Sequence, residues 1–426
     1  VSARRLAIAG WAAIAAGIAA AAAGPSRALR ALAPDGALDA STARFVDGVP
    51  LAVAVCGVVL LAAGLSSSLR RALAGAWLEP ASPARTRAVP LIAFLSCALR
   101  LVVGSVSDAG LGDDGARVVW LQRWLLDPAP IWSGYWAPGH LYVQALLWWV
   151  LRDAVRAGVV LAAIAAGGTA WIVGRRTDAV WGRPAGALAA LLVTVSPVGV
   201  AYGSVPDVNP FFAFCTVASV AAARRFGDAA RGRWLVVAWI AFAFASWSRF
   251  EAFLLAPAVA ATVWPRRRTA IAFGVLLLLP AAAWWIADWA ATGTAARVVT
   301  AVHSDAASAG ARASIVFSYL LALFRGVSPV VLLLAAAGIA RALRARLGRE
   351  WILPFVLHAG ALAAAMWTSG SGGQARYFLA AGAFLSPYAA AALAGAWRRQ
   401  GAVGIGSAAV AVGLLATTPS LVPGPG

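Results

Sequence analysis

The chain has 426 residues, 62% of them hydrophobic and 12% charged, with a mean hydropathy of +0.81; no soluble domain needs so much apolar surface, so it reads as a polytopic membrane protein. A net charge of +19 would suggest nucleic acid in a soluble chain, but the arginines fall in short clusters between apolar runs. That distribution marks topology signals, and no nucleic-acid partner is expected. Every basic residue is Arg and none is Lys, which together with the abundant Ala reflects coding bias more than chemistry. Cys56, Cys97 and Cys215 all lie in apolar runs, where they act as small hydrophobes and indicate neither disulfides nor a thiolate metal site.

Apolar runs of spanning or near-spanning length occur at about 6–24, 49–66, 88–106, 156–174, 184–201, 208–223, 234–247, 250–264, 269–290, 315–340, 351–367, 376–396 and 402–418. The first could pass for a cleavable signal, but its length and the spans that follow make it an anchor. His140–Leu151 is a marginal further run. If the N-terminal Arg4 and Arg5 are cytoplasmic and His140–Leu151 does not cross, 22 of the 35 Arg share one side. Counting that run as a crossing moves the 175–183, 224–233 and 265–268 clusters outside. The positive-inside rule therefore favours an all-α transmembrane bundle of about 13 spans plus one re-entrant or interfacial helix. A plasma (inner) membrane location follows, with several passes. No internal repeat is visible, which weakens an inverted-repeat transporter reading.

The one long stretch not made for lipid is the outer loop 105–140, SVSDAGLGDDGARVVWLQRWLLDPAPIWSGYWAPGH. Val118, Leu121, Trp124 and Leu125 keep one face of a short amphipathic helix, with Asp113 and Asp114 at its start. One carboxylate there can cap the helix; alternatively, a carboxylate beside the membrane can take a proton from an attacking hydroxyl. Two adjacent Asp are more than a cap requires.

Other polar residues stand out against apolar surroundings. Arg249 and Glu251, in SWSRFEAFLLAP, form either a substrate site or a mutual ion pair. Arg376 and Tyr377, in SGGQARYFLAAG, begin a span; Arg at that depth suits a lipid phosphate, or simply snorkels to headgroups. Asp207 and Asn209, in YGSVPDVNPFF, are turn residues or substrate contacts. Trp136, with Trp120, Trp124, Trp132, Tyr135 and Trp148/Trp149, either stacks on a sugar, lines a lipid groove or forms an interfacial belt. His140 either binds a phosphate or faces water. His303 and Asp305 are too few to assign a metal, so a divalent ion stays open and no cofactor is required. The topology above puts all these polar residues at one end of the bundle, the non-cytoplasmic one. No P-loop, Rossmann glycine pattern, HExxH or nucleophile elbow is present.

The pattern resembles the polyprenyl-phosphate-dependent glycosyltransferases of the GT-C superfamily, which include protein O-mannosyltransferases and aminoarabinose transferases. The resemblance covers roughly Leu91 to Leu393. It rests on Asp113–Asp114 in the first large outer loop, the interfacial helix, the entry APGHLYVQALLWW, the Arg-ended WIVGRRTDAVWGRPAGALAALLVTVSP, the SRFEAFLLAP stretch and the late ARYFLAAGAFLSPYAAAAL. The family's usual Pro-Pro-Leu is Pro138-Gly139-His140-Leu141 here. Two spans, read as a membrane hairpin at 1–66, precede what would be the family's first helix and depart from it; the resemblance implies a GT-C-like transmembrane catalytic core at 67–400, followed by a C-terminal helix and tail at 401–426. It further implies inverting transfer from a polyprenyl-phosphate sugar lipid to an acceptor glycan, lipid or protein among the membrane lipids. Asp113 would be the base and Asp114 its partner, with Arg376 and Arg249 meeting the leaving phosphate. A transporter or flippase for a lipid-linked or anionic solute, and a non-catalytic envelope partner, are the competing readings.

Overall fold

The computed structural model describes residues 88–106, 114–127, 138–264, 266–293, 312–369 and 374–400. The expected hairpin 1–66, the tail 401–426, Asp113, Trp136, His303 and Asp305 lie outside the described residues.

Within them the chain is helical, and no strand is found. In order come α1 (Ala88–Val106), α2 (Asp114–Leu126), α3 (Gly139–Leu151), α4 (Ala154–Trp181), α5 (Arg183–Val195), α6 (Pro197–Gly203), α7 (Val208–Ala229) and α8 (Arg233–Ser246). A 3-10 turn, Phe250–Leu255, leads into α9 (Ala256–Ala261). There follow α10 (Arg267–Thr292), α11 (Arg312–Val327), α12 (Pro329–Ala345), α13 (Ile352–Ser369) and α14 (Leu379–Gln400), with 3-10 turns at Arg349–Trp351 and Ala375–Phe378.

Four segments among the described residues are long and apolar enough to cross a membrane: Ala88–Val106, Ala154–Trp181, Arg267–Ala290 and Ala375–Gly395. The bent pair α5–α6 makes a fifth candidate. At 28 residues α4 is about 42 Å long, enough to cross hydrocarbon and both interfaces. Its start is fixed by Asp153, whose carboxylate accepts from the backbone N–H of Val155 (2.9 Å) and Arg156 (3.0 Å). By contrast α3, at 13 residues, falls short of the about 20 a crossing needs.

Two runs that read as continuous apolar sequence are divided. The run 184–201 breaks at Ser196, where Pro197 has no N–H to continue the ladder and the axis turns by 58°. The run 315–340 breaks at Ser328, with φ of 74° just before Pro329.

Small residues bring the helices together. Gly338 of α12 lies so close to the Tyr388 backbone of α14 that no Cβ fits between them. The core runs through α4, α5, α7, α8, α12 and α14, around Phe212, Phe242, Trp351, Phe384 and Tyr388. Phe94 and Val102 of α1 and Ile271, Val275 and Ile286 of α10 remain exposed, as lipid-facing positions should. The amphipathic helix expected after the aspartates is present as α2. It buries Val118 and Leu121 against Leu141, Ala145 and Ala154, with Trp124 and Leu125 half-buried on the same side.

Candidate functional site

The N-terminus of α7 starts the site. Asp207 caps it, its Oδ1 accepting from the Asn209 backbone N–H at 2.7 Å and from the Asn209 side-chain amide at 2.6 Å. Asp207 is 1% exposed, so this capped carboxylate is also a buried charge needing a cation. Arg376 provides one, its Nη1 lying 3.9 Å from Asp207 Oδ2. Asn209 turns its Oδ1 the other way and accepts from Arg249 Nη1 at 2.7 Å.

Arg249 enters where α8 ends, just before the 3-10 turn. Its Nε donates to Glu251 Oε2 at 3.2 Å and its Nη2 donates to Oε1, a forked pair. The mutual ion pair weighed from the sequence is therefore present, and it is continuous with Asp207 through Asn209. Tyr377 joins the two arginines: the Arg249 guanidinium sits 4.3 Å from its ring centroid and that of Arg376 sits 5.4 Å away. Arg376 also lies 5.8 Å from the ring of Tyr202, at the end of α6.

Asp114 completes the perimeter. It is 7% exposed at the start of α2, and its carboxylate lies within electrostatic reach of Tyr202, as do Arg376 and Asp207. Thus Asp114, Asp207, Arg249, Glu251, Arg376 and Tyr377, read from separate stretches of sequence, converge on one region.

His140 borders it. The ring is fully buried, packs edge-on against Phe211 with centroids 5.9 Å apart, and both its nitrogens lack a hydrogen-bond partner. Burial, with a smaller contribution from the charge of Arg117, lowers its pKa to about 3, so the imidazole is neutral. Its neighbour Gly139 donates a backbone hydrogen bond to the Trp247 carbonyl at 2.7 Å, tying the start of α3 to the end of α8. Among the described residues no three His, Cys, Asp or Glu come together to hold a metal ion.

Two members of the site were not singled out from the sequence. His358, in the middle of α13, donates from Nε2 to the Tyr377 carbonyl at 2.9 Å and packs against Phe212. Its signal was available: an ionisable residue inside the apolar run ILPFVLHAGALAAAM. Tyr202 carried no such signal, being one aromatic among many.

A family model described as dolichyl-phosphate-mannose-protein mannosyltransferase matches residues 136–289. Among solved structures, the fold is similar to ArnT from Cupriavidus metallidurans bound to undecaprenyl phosphate. The TM-score is 0.58 at 16% identity, over 76% of this chain and 62% of that one. It is also similar to the archaeal oligosaccharyltransferase AglB from Archaeoglobus fulgidus, in complex with an inhibitory peptide and a dolichol-phosphate. There the TM-score is 0.52 at 16% identity, over 80% of this chain and 56% of that one. At this identity the likeness to the solved structures is one of fold, and the chain spans somewhat more than half the length of those two structures. A comparison with curated protein sequences finds no match. Carboxylates and guanidinium groups thus lie side by side against the rings of Tyr202 and Tyr377. Such an arrangement can hold a hydroxyl, a sugar and a phosphate together.

Proposed function

We propose that the chain is a membrane glycosyltransferase that moves a sugar from a polyprenyl-phosphate carrier to an acceptor hydroxyl at the non-cytoplasmic face. The observation that carries this reading is the convergence of Asp114, Asp207 and Arg376 around Tyr202, with Arg249 and Glu251 joined to them through Asn209. The family match and the lipid phosphates named with ArnT and AglB support it.

In this reading Asp113 accepts the proton of the acceptor hydroxyl as that oxygen attacks the anomeric carbon. The bond from the anomeric carbon to the phosphate oxygen breaks, and the polyprenyl phosphate leaves with the electron pair. Attack opposite the leaving group inverts the anomeric centre. Asp114 positions the acceptor. Arg376 meets the charge that develops on the phosphate, and Arg249, held by Glu251 against the Tyr377 ring, supports it. Asp207 orients Arg376. No nucleotide is needed, because the carrier brings an already activated sugar. The acceptor is a glycan, a lipid or a protein.

The test uses undecaprenyl-phosphate mannose in membranes carrying the full chain. Asp113→Asn and Asp114→Asn should abolish release of undecaprenyl phosphate while leaving binding of the lipid donor intact. Unchanged release in both variants would overturn the enzyme reading. Movement of the intact donor between leaflets, lost in the same variants, would replace it with a carrier.

A further inference from the structure

The site's α6 side depends on a residue buried in the membrane. Arg100, in the middle of α1, is 1% exposed. Among the described residues, backbone carbonyls and one hydroxyl, and no carboxylate, accept from its guanidinium. Nε donates to the Gly199 carbonyl at 3.1 Å. Nη1 donates to the Ser96 carbonyl at 3.0 Å and the Ser96 hydroxyl at 2.7 Å. Nη2 donates to the carbonyls of Val193 at 3.4 Å and Thr194 at 3.2 Å. All five N–H groups of the fork are therefore used.

The acceptors are not arbitrary. The Val193 carbonyl is the one that a continuous helix would pair with the N–H of residue 197, and Pro197 has none. In a membrane such an orphaned acceptor must find a donor inside the protein. Arg100 supplies it, and with the same fork reaches Gly199 beyond the break, bracketing the 58° bend from both sides. The seat is built to fit: a Cβ on Gly203 would lie 2.5 Å from Arg100 Nε and 2.7 Å from its Cδ, and one on Gly199 would lie 3.3 Å from Nη2. Gly199 and Gly203 are one turn apart, so together they form a groove for the arginine stem. Tyr202 stands inside that groove's span, just before Gly203, and the chain then turns through 204–206 into Asp207.

We infer that Arg100 is a positioning residue: by bracketing the α5–α6 break it sets where Tyr202 and Asp207 stand relative to Arg376. The functional consequence rests on the glycosyltransferase reading; the structural one does not.

The experiment compares the full-length wild type with Arg100→Lys, Gly203→Ala and Ser96→Ala in detergent. Release of undecaprenyl phosphate from undecaprenyl-phosphate mannose is read as kcat and KM alongside Tm, and the Arg100→Lys protein is imaged by cryo-electron microscopy. Lysine keeps the charge but cannot span acceptors on both sides of a break. Arg100→Lys and Gly203→Ala should each lower kcat about tenfold or more per folded molecule, with KM little changed, since small displacements of reacting groups carry such costs. Ser96→Ala, which removes one acceptor of five, should stay within about threefold. In the Arg100→Lys structure the bend should depart from 58° and Arg376 should stand farther from Asp207. Unchanged kcat per folded molecule in both variants, or an unchanged bend and separation in Arg100→Lys, would overturn the proposal. Should Arg100→Lys fail to fold, Gly203→Ala decides by kcat and by its own structure, because it keeps every donor and acceptor. If the wild type releases no undecaprenyl phosphate, the functional reading fails, and the bend in the variant structures decides the role of Arg100 alone.

Discussion

The two ends of α7 carry two charge clusters that differ in kind, one partly exposed and one buried. At the end near Asp228, Arg176 of α4 touches two carboxylates at once, Asp228 at 3.2 Å and Glu350 at 3.0 Å, while Arg224 reaches Asp228 at 3.1 Å. Trp181 packs edge-on against Tyr388, whose hydroxyl donates to the Gly348 carbonyl. The Arg176 pairs there are short and tie α4 to α7 and to the 3-10 turn Arg349–Trp351. At the Asp207 end, about 30 Å away along the helix, Arg376 stands 3.9 Å from its carboxylate and shares the faces of Tyr202 and Tyr377. The first arrangement is a clasp. The second keeps a cation beside its carboxylate without drawing the two into a close fork, which is the arrangement a phosphate-binding group requires.

Substitutions at the two ends should separate this difference into activity and stability. Arg376→Met is expected to lower kcat for release of undecaprenyl phosphate by roughly a hundredfold or more, the scale of losing one preorganised charge at the reacting group. Its Tm should fall as well, because buried Asp207 loses its cation, so the activity loss is read per folded molecule. Arg176→Met should lower stability alone: it strands the buried Glu350 carboxylate and should cost roughly 3 kcal/mol, read as a lower Tm, with kcat per folded molecule unchanged. A fall in kcat at constant Tm for Arg176→Met would erase the distinction between the ends.

A smaller effect sharpens the account at Arg249. Lysine there cannot hold the fork to Glu251, reach Asn209 and cover Tyr377 together, so Arg249→Lys should lose about tenfold in turnover. Tyr377→Phe keeps the aromatic face and should stay within about threefold. If these two variants lose equally, the tyrosine hydroxyl rather than the ring face matters.

The smallest effect is one of pH. His140 has its pKa lowered from 6.5 to about 3 by burial, with Arg117 adding to it. The unfolded chain therefore takes up a proton as pH falls from about 6.5 toward about 3 while the native state does not, and stability drops over that window. His140→Gln should flatten the fall in Tm between neutral and acidic pH. Equal slopes in the two proteins would show that His140 is accessible to protons in the native state.

Much of the site was legible because charge stands out against lipid-facing sequence. Asp113–Asp114, Asp207, Arg249–Glu251 and Arg376 were each visible as ionisable residues among apolar runs, and α2 was visible from its spacing. Their pairing was not. Asp207 meets Arg376 across more than a third of the chain, and no local pattern encodes a contact of that separation. The breaks at Ser196 and Ser328 were hidden because hydropathy does not register a missing N–H; the prolines after them were the usable signal. Arg100 escaped attention for a related reason. Its partners are carbonyls, which every residue has, so nothing in the sequence distinguishes them.

The central claim is that the Asp207 end, and not the Asp228 end, receives the lipid phosphate. A cryo-electron microscopy structure of the full chain with undecaprenyl phosphate tests it directly. The account predicts phosphate oxygens in hydrogen-bond contact with the Arg376 guanidinium. A phosphate seated instead on Arg176 and Arg224 would contradict it.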